Sequence, residues 1–196
     1  MKMMRLGKHG AYPRRETSNL RKGRVSIAQA RYFITINAER PCFGLTGESV
    51  ASRLMYVLSE MQDSGDFTLM ASTIMPDHVH LLIQLHDRLT ISQVCGKFKA
   101  KSRDTLLRCG AKWQRNFYEH RLRPDDDVSP FAIYILLNPY RKKLIPAHES
   151  WPWWQRGNFA AFDFDDLLLD GDCPPSAWVA WELADLGLTT SQVGPD

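Results

Sequence analysis

The sequence predicts an α+β fold in which four strands and two helices follow one another in the order β-α-β-β-α-β. Three observations carry this prediction. Apolar residues alternate along residues 78–85, as expected of a strand whose two faces differ. Apolar residues recur with helical spacing from Val50 to Met61. The turn residues Met75-Pro76-Asp77 join two apolar runs directly.

The first half of the chain contains the first four elements. Residues 32–36 are rich in aromatic and β-branched side chains, which predicts the first strand. The stripe from Val50 to Met61 predicts the first helix. Residues 67–74 then predict the second strand and residues 78–85 the third.

The second half completes the order. Thr90 is a typical N-cap and opens the second helix, and residues 116–122 predict the fourth strand. This order is the ferredoxin-like arrangement, in which both helices pack on one face of an antiparallel sheet and the third strand is central. We expect the opposite face of the sheet to stay open.

One more helix is expected after the fourth strand. Ser129 is a good N-cap, Pro130 suits the first helical position, and Pro139 predicts the end of the helix. Residues 125–127 offer an alternative cap one turn earlier.

His78 and His80 are the strongest candidates for a functional site. Alternation along the third strand directs both imidazoles to one face, while Val79 and Leu81 point into the core. Two imidazoles held side by side on a rigid strand suit metal binding. Asn138 can supply a carbonyl oxygen as a third ligand. Two nitrogens and one oxygen leave positions on Mg²⁺ or Mn²⁺ open for phosphate and water.

Tyr134 lies one helical turn before Asn138 and is the candidate nucleophile. A phenol with a pKa near 10 costs about 4 kcal/mol to ionise at pH 7. Nearby positive charge is therefore needed, and a metal ion together with Arg141 or lysines would provide it.

Composition excludes several classes of protein. The longest apolar run, residues 131–137, is too short to span a bilayer, and the first residues lack the apolar stretch of a secretory signal. The four cysteines, at positions 42, 95, 109 and 173, form no C-x-x-C pair. This spacing disfavours a disulfide framework or a zinc knuckle and fits a reducing cytoplasm.

Charge is distributed unevenly along the chain. All 25 Lys and Arg lie within residues 1–156, whereas residues 157–196 contain eight acidic residues. A basic body favours a polyanionic partner, of which nucleic acid is the commonest, although a solvated surface is the alternative. The candidate DNA-contacting residues are Arg14, Arg15, Arg24, Lys97, Lys101, Arg103, Arg115, His120, Arg141 and Lys142.

Two motifs resemble those of the single-tyrosine HUH transposases: residues 75–82 (MPDHVHLL) and 134–139 (YILLNP). Residues 23–26 (GRVS), 113–115 (WQR) and 151–154 (WPWW) are similar to the REP-associated branch of that group, and the likeness covers about residues 23–156. The resemblance implies a ferredoxin-like core, a divalent cation on His78, His80 and Asn138, and cleavage of single-stranded DNA by Tyr134 through a 5′-phosphotyrosine. It also implies recognition of REP-type hairpins and a short flanking sequence in bacterial chromosomes. We expect the protein to act in the cytoplasm, at the nucleoid, as a monomer, with a dimer as the alternative.

The chain departs from the pattern of these transposases at two places. Asp77 stands where many members have Asn. Arg141-Lys142-Lys143 stands where Arg-Ala-Gly is usual, which removes a helix-ending glycine.

We therefore predict three regions: a flexible basic leader (1–24), an HUH single-tyrosine transposase-like domain (25–156) and an acidic C-terminal tail (157–196). Two other functions stay open. One is a hairpin-binding protein without cleavage. The other is an unrelated metal-dependent phosphoesterase, although the two-histidine-motif type would need a second H-x-[ST] repeat that the chain lacks.

Overall fold

The computed structural model describes residues 26–39, 44–157 and 162–194. The predicted α+β order is confirmed: β1 (Arg31–Asn37), α1 (Glu48–Asp63), β2 (Phe67–Ile74), β3 (His78–Leu85), α2 (Ile91–Arg108) and β4 (Tyr118–Arg121) are followed by α3 (Ser129–Arg141), β5 (Trp154–Arg156) and α4 (Thr190–Val193). The strands form one antiparallel sheet in the order β4-β1-β3-β2-β5, so β3 is central.

Helices α1 and α2 cover one face of the sheet, as predicted. Their apolar stripes bury against inward-facing residues of the strands, including Ile34, Val79 and Leu81. Thr90 caps α2 through a capping box with Gln93, in which each residue accepts a backbone N–H of the other. This layer is the larger of the two hydrophobic cores.

The second face is covered by α3 and by residues 162–193, so the prediction that it stays open is wrong. Residues 131–140 of α3 are all buried, and they pack on Phe33, Ala71 and Leu82 of the sheet. Phe164 and Trp178 of the acidic tail cover the outer side of this layer. The physical reason is that a helix apolar on nearly all sides must be enclosed from two directions.

The boundaries of α3 differ from those predicted. The N-cap position is Val128 rather than Ser129, and the Asp127 carboxylate accepts the backbone N–H of Ser129 at 2.9 Å. Pro139 lies inside the helix, which continues to Arg141. Proline removes one donor and restricts the residues before it, but it does not prevent the next two residues from completing the last turn.

The fifth strand was not predicted. Residues 154–156 pair with residues 71–73 of β2 and so extend the sheet beyond the expected four strands. None of the helices in the described part of the chain has the length and apolar character needed to cross a membrane. The cysteines that the structure describes, Cys95, Cys109 and Cys173, are not joined in disulfides.

Lys143 adopts a left-handed backbone conformation, with φ of +57°. It occupies the position at which the transposases that the sequence resembles usually have glycine. The turn after α3 therefore keeps a backbone geometry that glycine favours. The β-carbon of Lys143 makes this conformation strained.

We expect Lys143→Gly to raise the free energy of unfolding by about 0.5–1 kcal/mol, because relief of the left-handed strain outweighs the added entropy of the unfolded chain. Lys142→Gly is the matched control, since it removes the same charge at a residue with φ of −81° and should be destabilising by a similar amount. Urea denaturation measures both. Equal destabilisation by the two substitutions would contradict this account of Lys143.

Candidate active site

The two histidines of β3 meet on the α3 side of the sheet. Their Nε2 atoms lie 3.0 Å apart, and their rings are nearly perpendicular. His80 is 1% exposed and His78 is 7% exposed. Alternation along β3 positions both rings, since the intervening Val79 is anchored in the α1–α2 core.

Each histidine is oriented through its other ring nitrogen. His78 Nδ1–H donates to the Asp77 carboxylate at 2.7 Å, and the Thr35 hydroxyl lies 2.9 Å from His80 Nδ1. These contacts direct both Nε2 atoms toward one point, as in carboxylate–histidine–metal arrangements. From the sequence, Asp77 was placed in the turn before β3 and noted where many transposases have Asn, without this role. Thr35 carried no sequence signal, because only the β1–β3 register brings it opposite His80.

Burial keeps His80 uncharged. Loss of solvation lowers the pKa of His80 well below 6.5, and the charges of His78 and Lys142 act in the same direction. A neutral imidazole is the form that binds a metal ion.

Asn138, on α3, adds a third side chain to the histidine pair. Its side-chain nitrogen lies 3.2 Å from His80 Nε2, while its buried Oδ1 has no hydrogen-bond partner among the residues that the structure describes. Half a turn of the amide exchanges the two atoms and directs the oxygen to the histidine pair. Adjacent ligands of an octahedral Mg²⁺ at about 2.1 Å lie about 3 Å apart, so the three side chains fit a divalent cation.

This fit depends on an amide as the third ligand. The described residues contain no group of three His, Cys, Asp or Glu side chains that would hold a metal. The assignment of Mg²⁺ or Mn²⁺ to His78, His80 and Asn138 stays a prediction.

Tyr134 lies beside the histidine pair. Its ring centroid is 5.5 Å from that of His80, and the Arg141 guanidinium lies 5.7 Å from the same phenol ring. The spacing of Tyr134, Asn138 and Arg141 along α3 thus brings the predicted nucleophile, ligand and positive charge to one place.

Tyr118 is a weaker candidate for the nucleophile. Its hydroxyl donates to the Ser191 carbonyl, and burial raises its pKa to about 12. A phenol with this pKa is harder to ionise than an ordinary tyrosine.

The candidate DNA-contacting residues fall into separate groups. Arg14, Arg15 and Arg24 lie outside the described residues. Arg141 and Lys142 border the site and line a groove of about 260 Å³ with Asn138. Val179, Ala180 and Glu182 of the acidic tail form its other wall, and the Glu182 carboxylate lies 3.6 Å from Arg141.

The structure does not bring the remaining candidate DNA-contacting residues to the histidine pair. Lys97 pairs with Asp66 at 2.5 Å and Lys101 with Glu60 at 2.7 Å, in the layer formed by α1 and α2. Arg103 and Arg115 line a groove beside α2. His120 stacks on Phe131, and burial lowers its pKa.

Known proteins resemble this chain in sequence. Residues 26–122 match the family model described as "Transposase IS200 like". A Haemophilus influenzae protein whose name assigns it to the REP-associated tyrosine transposases is 30% identical over 103 residues, which cover 44% of this chain and 57% of that protein. The match therefore spans little more than half of this relative. The family resemblance stated from the sequence is confirmed.

The fold also matches a solved structure. A REP-associated tyrosine transposase bound to a REP hairpin superposes with a TM-score of 0.55 at 22% identity. The match covers 74% of this chain and 82% of the other. At this identity, the likeness shows that the two proteins share a fold.

The buried neutral state of His80 predicts a pH dependence of stability. The unfolded chain protonates this histidine near pH 6.5, whereas the folded protein does so only at lower pH. The free energy of unfolding should fall as pH drops below about 6.5, by up to about 1.4 kcal/mol per pH unit, until the lower pKa of the folded state is reached.

Urea denaturation between pH 5 and 8, with a chelator present, measures this slope. His80→Gln should lack the His80 contribution, whereas His148→Gln, at an exposed position, should retain it. Parallel pH profiles for His80→Gln and the unsubstituted protein would show that His80 is not held neutral by burial.

Proposed function

We propose that this chain, whose residues 26–122 match the IS200-like transposase family model, binds REP-type single-stranded DNA hairpins. We further propose that it cleaves them and transfers the cut strand through Tyr134. We also propose that it acts as a monomer in the bacterial cytoplasm, at the nucleoid. The relatives support the choice of DNA, since one is named for REP association and another is bound to a REP hairpin.

One observation carries the proposal: a tyrosine, an amide and two histidines from separate elements meet at a buried point. Tyr134 and Asn138 come from α3, while His78 and His80 come from β3. A purely structural tyrosine would not need an unpartnered amide oxygen and two converging imidazole nitrogens beside it. This combination suits transfer of a phosphoryl group to a side chain.

The reaction exchanges one phosphodiester for another. The Tyr134 hydroxyl gives up its proton to solvent, and its oxygen attacks the scissile phosphorus. The bond from phosphorus to the 3′ oxygen breaks, and that oxygen takes up a proton to become the free 3′-OH. The 5′-phosphotyrosine keeps the energy of the bond. Attack by a second 3′-OH then frees Tyr134 and rejoins the DNA, so no nucleotide cofactor is consumed.

The side chains of the site have separate tasks. Arg141 lies over the Tyr134 ring and favours the phenolate, while Asp77 and Thr35 orient the imidazoles. His78, His80 and Asn138 would hold Mg²⁺ or Mn²⁺, and the chemistry that such an ion supplies is Lewis-acid polarisation of the scissile phosphate. The groove beside Asn138 gives the phosphate a basic approach through Arg141 and Lys142.

A labelled hairpin oligonucleotide tests the proposal. Incubation with Mg²⁺ or Mn²⁺ should give a covalent protein–DNA adduct on a denaturing gel. Tyr134→Phe should abolish the adduct, because phenylalanine has no nucleophilic oxygen. Tyr118→Phe is the matched control and should retain it.

The other two functions give different results in the same assay. Hairpin binding by the unsubstituted protein without any adduct would indicate a binding protein that does not cleave. Cleavage that survives Tyr134→Phe would indicate a metal-dependent phosphoesterase in which Tyr134 is not the nucleophile.

Hairpin binding should also depend steeply on salt, because each neutralised phosphate releases counterions. With about four phosphate contacts, affinity should fall roughly 50-fold between 50 and 200 mM NaCl. Fluorescence anisotropy with Tyr134→Phe measures this without cleavage. An affinity that does not change with salt would argue against a phosphate-dominated interface.

A further inference from the structure

Asn37, the last residue of β1, lies directly beside the histidine pair. The strand register places it opposite His78, and residues paired in this way have their β-carbons about 5 Å apart on the same face of the sheet. Phe33 and Thr35 precede it on that face, where the Phe33 ring packs on His80 and the Thr35 hydroxyl contacts His80 Nδ1. Alternation therefore directs the Asn37 amide to the side of the sheet on which the histidines meet.

The backbone around Asn37 is held on both sides. The carbonyl of Asn37 accepts the N–H of Gln114 at 2.9 Å. The N–H of the next residue, Ala38, donates to the carbonyl of Asp77 at 2.8 Å. The Asn37 side chain therefore extends from a rigid position, as a group that contacts a reacting atom must.

Helix α3 crosses the sheet obliquely, away from this end of β1. Near the start of the helix, Phe131 packs on Phe33 of β1. Near its end, the Tyr140 hydroxyl accepts the N–H of Trp151, whose indole donates to a carbonyl at the end of β2. The helix thus moves from β1 toward β2 as it passes the histidines. Accordingly, Asn37 is only half-buried, whereas the two preceding residues of β1 on this face are buried.

The Asn37 amide is available to a ligand. Its side chain forms no hydrogen bond with any residue that the structure describes, whereas the neighbouring Gln114 amide donates to the Ala38 carbonyl at 3.0 Å. The free amide offers two N–H donors and one carbonyl oxygen. These groups adjoin the point toward which His78 and His80 direct their Nε2 atoms.

The α3 side of the same point is basic. Arg141 lies over the Tyr134 ring, and Lys142 lines the groove beside Asn138. A phosphodiester at this point has two non-bridging oxygens, and negative charge increases on both as the Tyr134 oxygen attacks. The cations approach from α3, so an oxygen turned toward β1 meets the amide of Asn37 instead. A fixed N–H donor aimed at developing negative charge lowers the barrier of such a reaction.

We propose that Asn37 is a further catalytic residue, whose side-chain N–H donates to one non-bridging oxygen of the scissile phosphate in the transition state. The inference rests on the proposed function and deepens it. The role differs from that of Asp77 and Thr35, which orient the imidazoles, and from that of Asn138, which would hold the cation. No covalent bond to Asn37 forms or breaks, and its amide keeps its protons.

The rate of adduct formation at saturating protein concentration tests the proposal. Asn37→Ala should slow the reaction about 100-fold, because the loss of one donor to developing negative charge has an effect of this order. Asn37→Asp should slow it at least as much, since a carboxylate of the same shape cannot donate and repels the phosphate. Gln84→Ala is the matched control and should keep the parent rate. It removes an amide from the same face of the sheet at the other end of β3.

Sulfur substitution at the scissile phosphate identifies the contact. The cleaved position is mapped from the length of the released strand, and each non-bridging oxygen is then replaced by sulfur in turn. Sulfur is a weak hydrogen-bond acceptor, so at one of the two positions it should slow the unsubstituted protein but not slow Asn37→Ala further. At the other position the effect of sulfur should be the same in both proteins.

Two measurements separate this role from indirect ones. Calorimetric titration of the DNA-free protein with Mn²⁺ should give the same affinity for Asn37→Ala as for the parent. Urea denaturation should give the same free energy of unfolding for both proteins, because the Asn37 side chain forms no hydrogen bond within the described structure.

Three results would overturn the inference and leave the proposed function intact. The first is adduct formation by Asn37→Ala at the parent rate. The second is a slower reaction in which both effects of sulfur persist, since Asn37 would then act on something other than a phosphate oxygen. The third is a loss of Mn²⁺ affinity or of stability that accounts for the slower reaction, which would make Asn37 a metal ligand or a structural residue. Absence of any adduct with the unsubstituted protein would instead remove the proposed function, and this inference with it.

Discussion

The structure depends on two imidazole nitrogens that are held 3.0 Å apart at a buried position. Two imidazole nitrogens at this distance suit a shared proton or a shared cation, and neighbouring groups fix the two rings. Asp77 and Thr35 fix the outer nitrogens, and β3 cannot shift without moving Val79 out of the core. A one-residue slip of β3 would exchange the two faces and bury the histidines in apolar surroundings.

That constraint determines what the other elements must do. Helix α3 has to cover the histidines closely enough for Asn138 to reach His80. It is therefore enclosed by the sheet on one side and by aromatic residues of the tail on the other, with Phe164 and Trp178 packed edge to face. The acidic tail is a structural part of the second core, and its Glu182 also faces Arg141 at the site. Removing the whole tail would expose α3, so charge substitutions are the cleaner way to study its electrostatics.

Positive charge is used differently on the two faces of the sheet. On the α3 side, Arg141 and Lys142 lie beside the candidate nucleophile and ligand. On the α2 side, Asp66, just before β2, pairs with Lys97, and Glu60 of α1 pairs with Lys101. Arg103 and Arg115 line the groove beside α2.

The sequence by itself determined the order of the elements, the faces of β3 and the helical spacing of Tyr134 and Asn138. These features follow from periodicity, turns and caps, which act over a few residues; the Thr90 capping box is an example. The backbone conformation at Lys143 is also set locally. Its φ is +57° although lysine stands where glycine is usual.

Only the tertiary structure decided which residues contact one another. Several features join residues that are far apart in the chain. They are the cover over the second face, the fifth strand, the contact of Thr35 with His80 and the pairing of Lys97 with Asp66. Alternation shows which face a side chain takes, but not which residue meets it there. Partners depend on strand register and helix packing, and those are set by the whole core at once.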